Sequence, residues 1–427
     1  MKAQQTQGSH SLPGPENISE TRLSNGILLM VRGNDNSPSV VIGGHVPCGA
    51  LFDPKEKMGL AHFAALGLMR GTAQCSFQQI YEALEANAAS LGFGGGMHTT
   101  SFNGRALAED LPLLLELLRE SLCEPTFPTD EIERLRAQLL TGLALRAQDT
   151  GEMAALTIDQ LLFREHPYAN PEDGWVETVS AITRDDLAGF HKKNFGPAGM
   201  VLAIVGAVEP KKVIDLVEKV LGGWKNPDQP PPPSLPPFLP LAHSSRRKVT
   251  IPGKAQSDIA IGANGPLRKS ADFLPASLGN SVLGQFGMGG RIGEVVREKS
   301  GLAYYAYSSL NAGIGPGTWV VNAGVNPRNV EKAIDLVSRE LRLFVEKGSQ
   351  AEELVDSQSN FIGRLPLALE SNAGMANALL NIERYDLGLD YYLRYPELVR
   401  AVTREMVVET TRRYLDPDRL AIAVAGM

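Results

Sequence analysis

The chain is short of the features that usually narrow a function. Its three cysteines, Cys48, Cys75 and Cys123, are odd in number and far apart. That spacing excludes a disulfide-built scaffold and points to a reducing compartment. No apolar run approaches the roughly 20 residues of a membrane span, so no membrane partner is expected. Residues 1–15 are polar and hold no apolar signal-peptide core. A cytoplasmic location is therefore expected, and a periplasmic one only if a leader has been removed. Nor is there a basic excess: the formal net charge is −7, and a nucleic-acid partner needs a basic face. What is present is ordinary. Hydrophobic residues make up 43% and charged residues 21% of 427, the composition of a globular chain long enough for two or more domains.

Proline is concentrated where it divides the chain. Residues 226–240 read NPDQPPPPSLPPFLP, a run that favours extended polyproline II and acts as a stiff spacer. A proline-rich ligand for a binding domain is the competing reading of this run. The halves on either side follow one plan. In the first, residues 27–31 and 39–46 are β-branched, apolar and flanked by turn formers, which predicts strands. Helices are predicted around His62, up to about residue 88 and over residues 111–122, a strand over 96–102, and a buried closing strand over 200–206. The second half repeats this with strands at 248–251 and 258–262, a helix at 274–283 and a closing strand at 420–426. The expected division is a polar tail at 1–20, a first domain at 21–225, a linker at 226–245 and a second domain at 246–427. Strands interleaved with helices give an α+β chain of two tandem α/β sandwiches.

The segment GLAHFAALGLMRGT at 59–72 resembles the zinc helix of the pitrilysin/insulinase-like peptidases. In that family an inverted motif, HxxEH, supplies two ligands at i and i+4, on one helix face, with a glutamate as base. Only His62 survives here. Ala65 stands in the place of the base and Leu66 in that of the second histidine. At the family's spacing the third ligand, a glutamate, falls at Gly142, and no carboxylate lies beside it. A lone imidazole does not hold zinc, since protein sites use three or four ligands, so no metal is expected in this chain. A site built from His45, His62 and His98 is the alternative, although nothing in their spacing demands it. Residues 91–103 occupy the place of the family's substrate-pairing edge strand. The resemblance thus implies that Gly96, Met97, His98 and Thr99 bind substrate backbone.

In the second half, residues 284–304 resemble the family's other signature, an arginine followed by a tyrosine, matched by Arg297 and Tyr304. Gly301 reads as the residue that stops the intervening helix. In relatives this pair faces the zinc centre across the substrate and steadies the oxyanion, a task suited to a forked cation and a phenol. The competing reading is structural: an arginine in a last helical turn complements the helix dipole, and tyrosine is common in strands. The glycine-rich runs at 92–96 and 284–290 lack the context of a dinucleotide or phosphate loop.

The resemblance covers the chain from about Thr21. It implies mitochondrial-processing-peptidase-like domains and the non-metal subunit of a two-subunit zinc peptidase. Zinc would reside in a zinc-motif-bearing paralogous partner, and the substrate would be an unfolded peptide bound by strand addition. The second reading is a catalytically inactive structural or peptide-binding homologue.

Overall fold

Six strands build the first sheet: β1 (Ser19–Arg22), β2 (Leu28–Gly33), β3 (Ser39–Val46), β4 (Ser90–Gly95), β5 (Thr100–Leu107) and β6 (Val201–Gly206). Their spatial order is β1-β2-β6-β3-β5-β4. The computed structural model describes residues 12–285 and 289–427. Strand β2 pairs with β6 in parallel, and the other pairings are antiparallel. Strand β6 reads VLAIVG and is buried along its whole length, so it needs cover on both faces. One face packs into a core shared with α1 (Leu60–Gly67), α2 (Phe77–Ala86), α3 (Leu111–Cys123) and α4 (Thr129–Arg146). The other face carries the helix Asn372–Arg384, from late in the chain. Gly43 of β3 leaves room there for Leu380.

The second sheet holds β7 (Ser245–Thr250), β8 (Ser257–Gly265), β9 (Ala303–Asn311), β10 (Gly317–Val325) and β11 (Ala421–Gly426), in the order β7-β11-β8-β10-β9. Its single parallel pair is β7 with β11. Helices Phe273–Gly284 and Val330–Lys347 contribute to the core on one face. On the other, α5 (Thr150–Phe163) packs onto Ala260, Ala421, Ala423 and Ala425. With β1 set aside, the two strand orders match position for position. The fold is α+β, with two tandem sandwiches of one design, as the alternation of strands and helices predicts.

The compact units differ from the chain halves. One holds the described residues up to Leu143 with Pro171–Ser234 and Pro366–Leu393; the other holds Ala144–Asn170, Leu235–Leu365 and Arg394–Met427. The switch between Ser234 and Leu235 falls inside the proline run. The other four crossings, on either side of α5 and of Asn372–Arg384, have no sequence signal, because those helices read as ordinary wherever they pack.

Three local expectations change. The expected tail at 1–20 overlaps a strand, since Ser19 and Glu20 pair with Val31 and Met30. The expected strand at 96–102 begins only at Thr100. The proline run has neither helix nor strand from 226 to 244, yet its ends are fastened. Asn226 donates to the Phe195 carbonyl at 2.7 Å, and Gln229 exchanges two hydrogen bonds of 3.0 Å with Ala198. In the second unit Leu241 is buried and Phe238 packs on Phe163.

Candidate functional site

Helix α1 starts at Gly59, whose φ of +93° favours glycine, and a Cβ there would meet the Asp173 carbonyl oxygen at 2.7 Å. Asp53 caps this end by accepting from the Gly59 and Ala61 amides, each at 2.8 Å. Burial pushes the Asp53 carboxyl up to about 7, against the opposing pull of those bonds. The helix presents His62 and Leu66 half-exposed, while Ala65 is fully buried. The i, i+4 face of a zinc helix is thus kept, with a hydrocarbon where the second imidazole would stand. The ring of His62 is engaged instead, with its Nδ1 lying 3.1 Å from the Gly95 carbonyl oxygen.

Gly142 lies exposed on α4 and offers no ligand atom. Ala65 and Leu66 line a cavity of about 370 Å³ with Met69, Leu91, Phe93 and Leu139. Its polar contributors include Arg70 and Gln138, which hydrogen-bond each other at 3.1 Å. A zinc ion does not fit this set: the lining holds no histidine, cysteine or carboxylate, and the one nearby imidazole, His62, is engaged with Gly95. Among the described residues no group of three or more His, Cys, Asp or Glu side chains is placed to hold a metal ion. Of the alternative trio, His45 is buried on β3 with its Nε2 4.0 Å from Glu383. Burial, aided by Arg384, lowers its pKa to about 4. His98 lies in the turn that follows β4.

Strand β4 is the free edge of its sheet. The Gly96 amide donates to the Thr99 carbonyl at 2.9 Å and closes the β4–β5 hairpin. By the alternation of antiparallel pairing, the backbone groups of Leu91, Phe93 and Gly95 point away from β5. The Gly95 carbonyl is occupied by His62, so the open stretch is 91–93, beside the apolar cavity. Gly96, Met97, His98 and Thr99 therefore form the turn rather than the strand. The Gly96 and Met97 carbonyls accept from Ala50 and Leu51 at 3.0 Å, and the Met97 amide donates to Glu172 at 2.7 Å. These groups are spent within the chain. Leu91 and Phe93 lie within the stretch 91–103 that the sequence places at an edge strand, but outside the four residues 96–99 singled out there.

In the second unit, the helical turn Gly290–Gly293 continues as a π-helix over Glu294–Lys299. Gly301, with φ of +60°, terminates it as expected. The wider winding shows in the closing bonds, Gly301 N–H to the Arg297 carbonyl at 3.0 Å and Leu302 N–H to the Val296 carbonyl at 3.1 Å. The neighbouring cation, Arg291, is committed to structure: it forks onto Glu353 at 2.8 and 2.5 Å and lies over the Phe344 ring. Among the described residues Arg297 has only a loose pairing with Glu298 at 3.9 Å, and 38% of its side chain is exposed. Tyr304 follows on β9, the free edge of the second sheet. Ala303 pairs with Val325 and Tyr305 with Gly324, which leaves Tyr304 as the extra residue of a β-bulge. Bulges re-aim side chains, and Tyr304 is 66% exposed with no hydrogen-bond partner among the described residues. Its neighbour Tyr305 turns the other way and donates to buried Asp258. The remaining part of the signature, 286–288, lies outside the described residues. No helix among the described residues is long and apolar enough to cross a membrane.

A model of the insulinase-type peptidases, family M16, matches residues 29–171, and a model described as the peptidase M16 inactive domain matches 181–361. The chain belongs to peptidase family M16. It is a member whose metal helix lacks the base and the second ligand. It is 25% identical over 409 residues to a protein of Streptomyces coelicolor named an uncharacterized zinc protease, covering 91% of this chain and 87% of that one. It is equally 25% identical over 390 residues to a Helicobacter pylori protein named a non-peptidase homolog, covering 88% and 86%. A solved structure described as the peptidase M16 inactive domain from Pseudomonas fluorescens superimposes with a TM-score of 0.89 at 25% identity, covering 96% of this chain and 98% of that one.

Proposed function

We propose that this chain is the metal-free subunit of a heteromeric zinc peptidase and that it supplies Arg297 and Tyr304 to a zinc-bearing paralogue. The observation that carries this reading is the state of those two side chains. Arg291 is consumed by carboxylates, while Arg297 and Tyr304 are turned to solvent by a π-segment and a bulge. Both irregularities recur at functional sites in proteins generally. In the complex the guanidinium holds the scissile carbonyl, and the phenol O–H donates to the oxygen as negative charge develops on it. Zinc belongs to the partner, since the donor set around His62 does not fit it. Three free thiols accord with a cytoplasmic setting. The test is reconstitution: purified chain and paralogue, separately and mixed, assayed on an unstructured peptide with metal content measured.

A second reading has its own observation. The cavity at Ala65 and Leu66 opens beside an unpaired strand edge at 91–93, which suits an extended peptide with an apolar side chain. The chain would then hold unfolded peptides without cleaving them, in keeping with the name of its Helicobacter relative.

A further inference from the structure

Three residues form one row across the second sheet. Tyr305 on β9 pairs with Gly324 on β10, and Gly324 pairs with Asp258 on β8. Paired residues share a face of the sheet. The missing side chain of Gly324 lets the outer two meet. A Cβ there would lie 2.5 Å from the Tyr305 Cε1 and 2.9 Å from the Asp258 Oδ1. The Tyr305 phenol reaches across β10 and donates to the Asp258 carboxyl. Asp258 is 3% exposed, and it also accepts from Thr150 of α5 and from Gln256 at 2.9 Å. Burial, and then Asp258, push the Tyr305 phenol above its ordinary value, so it stays a donor.

This tether ends beside the bulge. Ala303 pairs with Val325 on one side of it, and Tyr305 with Gly324 on the other. The ladder has room for one fewer residue than β9 supplies, so either Tyr304 or Tyr305 must stand out. A bulge one residue later would set Tyr304 opposite Gly324, within reach of Asp258, and leave Tyr305 outside. The two side chains are identical, so packing volume does not choose between them. The hydrogen bond to Asp258 marks the choice made: Tyr305 is held across the sheet, and Tyr304 is left 66% exposed.

We infer that Asp258 and Tyr305 are positioning residues that lock the bulge at Tyr304 and so keep its phenol turned outward. The inference rests on the reading that Tyr304 acts on the partner's substrate, and it adds two residues that act only through Tyr304.

The test uses the full chain, free and in complex with its zinc-motif paralogue. Tyr305→Phe removes the donor, while Thr150 and Gln256 still bond Asp258, so the fold is kept. The bulge then moves between residues 304 and 305, and Tyr304 spends part of its time on Asp258. Relaxation dispersion at the backbone amides of 303–306 in the free chain reports this exchange, which the unmutated chain lacks. In the complex, turnover falls roughly tenfold, the effect of one lost hydrogen bond, at unchanged KM. In the Tyr304→Phe background the same change costs nothing further, because the residue it positions is already disabled. The two failures are distinct. Full turnover in Tyr304→Phe removes the catalytic reading, and the exchange measurement then still decides the tether. The inference is overturned if Tyr305→Phe induces no exchange at 303–306, if it leaves turnover unchanged while Tyr304→Phe lowers it, or if the losses in the double variant add.

Discussion

The Nδ1 atom of His62 lies 3.1 Å from the carbonyl oxygen of Gly95. A carbonyl oxygen only accepts, so the imidazole donates from Nδ1. The one surviving residue of a zinc motif therefore fastens the end of a free edge strand to the helix beneath it. A metal ligand has become a clasp, and the strand it secures is the one whose remaining edge stays open.

That clasp depends on a glycine. A Cβ on Gly95 would lie 2.5 Å from the His62 Cα, so Gly95→Ala must push β4 away from α1. The expected cost is about 1–3 kcal/mol, typical of overpacking, read as a lower urea midpoint with an unchanged slope. Unchanged stability would show that β4 and α1 are not held so closely.

The Arg–Tyr pair makes a sharper prediction. Tyr304→Phe removes one donor from an exposed residue with no hydrogen-bond partner among the described residues. Folding and assembly with the paralogue should be unchanged by gel filtration. Turnover by the complex should fall by roughly 100-fold, as when an oxyanion donor is lost. Full activity in that variant would remove Tyr304 from the chemistry.

The cavity at the former metal face predicts a split between binding and stability. Leu66 is half-exposed at its wall, so Leu66→Trp can fill it without disturbing the sheet. Affinity for an extended apolar peptide, followed by fluorescence anisotropy, should drop by about tenfold, as expected for loss of a buried apolar side-chain contact. The melting temperature should hold. Equal affinity would place the peptide elsewhere.

Asp53 gives a pH signature. Its carboxyl is raised from 3.8 to about 7 in the folded chain, chiefly by burial. Between those values the folded state binds the extra proton, so its contribution is greatest below about pH 4 and is lost as pH rises through 7. Asp53→Asn keeps a capping oxygen and cannot ionise. The wild type should therefore lose stability relative to the variant as pH rises from about 4 to 7, and parallel curves would contradict the assignment.

Much of this fold was legible in the sequence because its signals are local. The run VLAIVG at β6 is apolar throughout, and only a strand covered on both faces uses such a run in a chain of this kind. The loss at Ala65 and Leu66 was equally plain, since a metal site depends on residue identity at fixed spacing. Other features were invisible because they depend on pairing partners. Glu20 became a strand residue through Met30. Tyr304 became a bulge only because Ala303 and Tyr305 are matched to consecutive residues of β10. The turn at 96–99 reads as strand in the sequence because Met97, His98 and Thr99 carry no strong breaker. Helices α5 and Asn372–Arg384 have apolar faces that do not name the sheet they cover.

The most direct measurement is peptidase activity on an unstructured peptide, with zinc content, for this chain alone, its zinc-motif paralogue alone and the two together. The account predicts turnover only in the mixture, zinc that follows the paralogue, and no metal on this chain. Stoichiometric zinc and chelator-sensitive turnover from this chain by itself would contradict it.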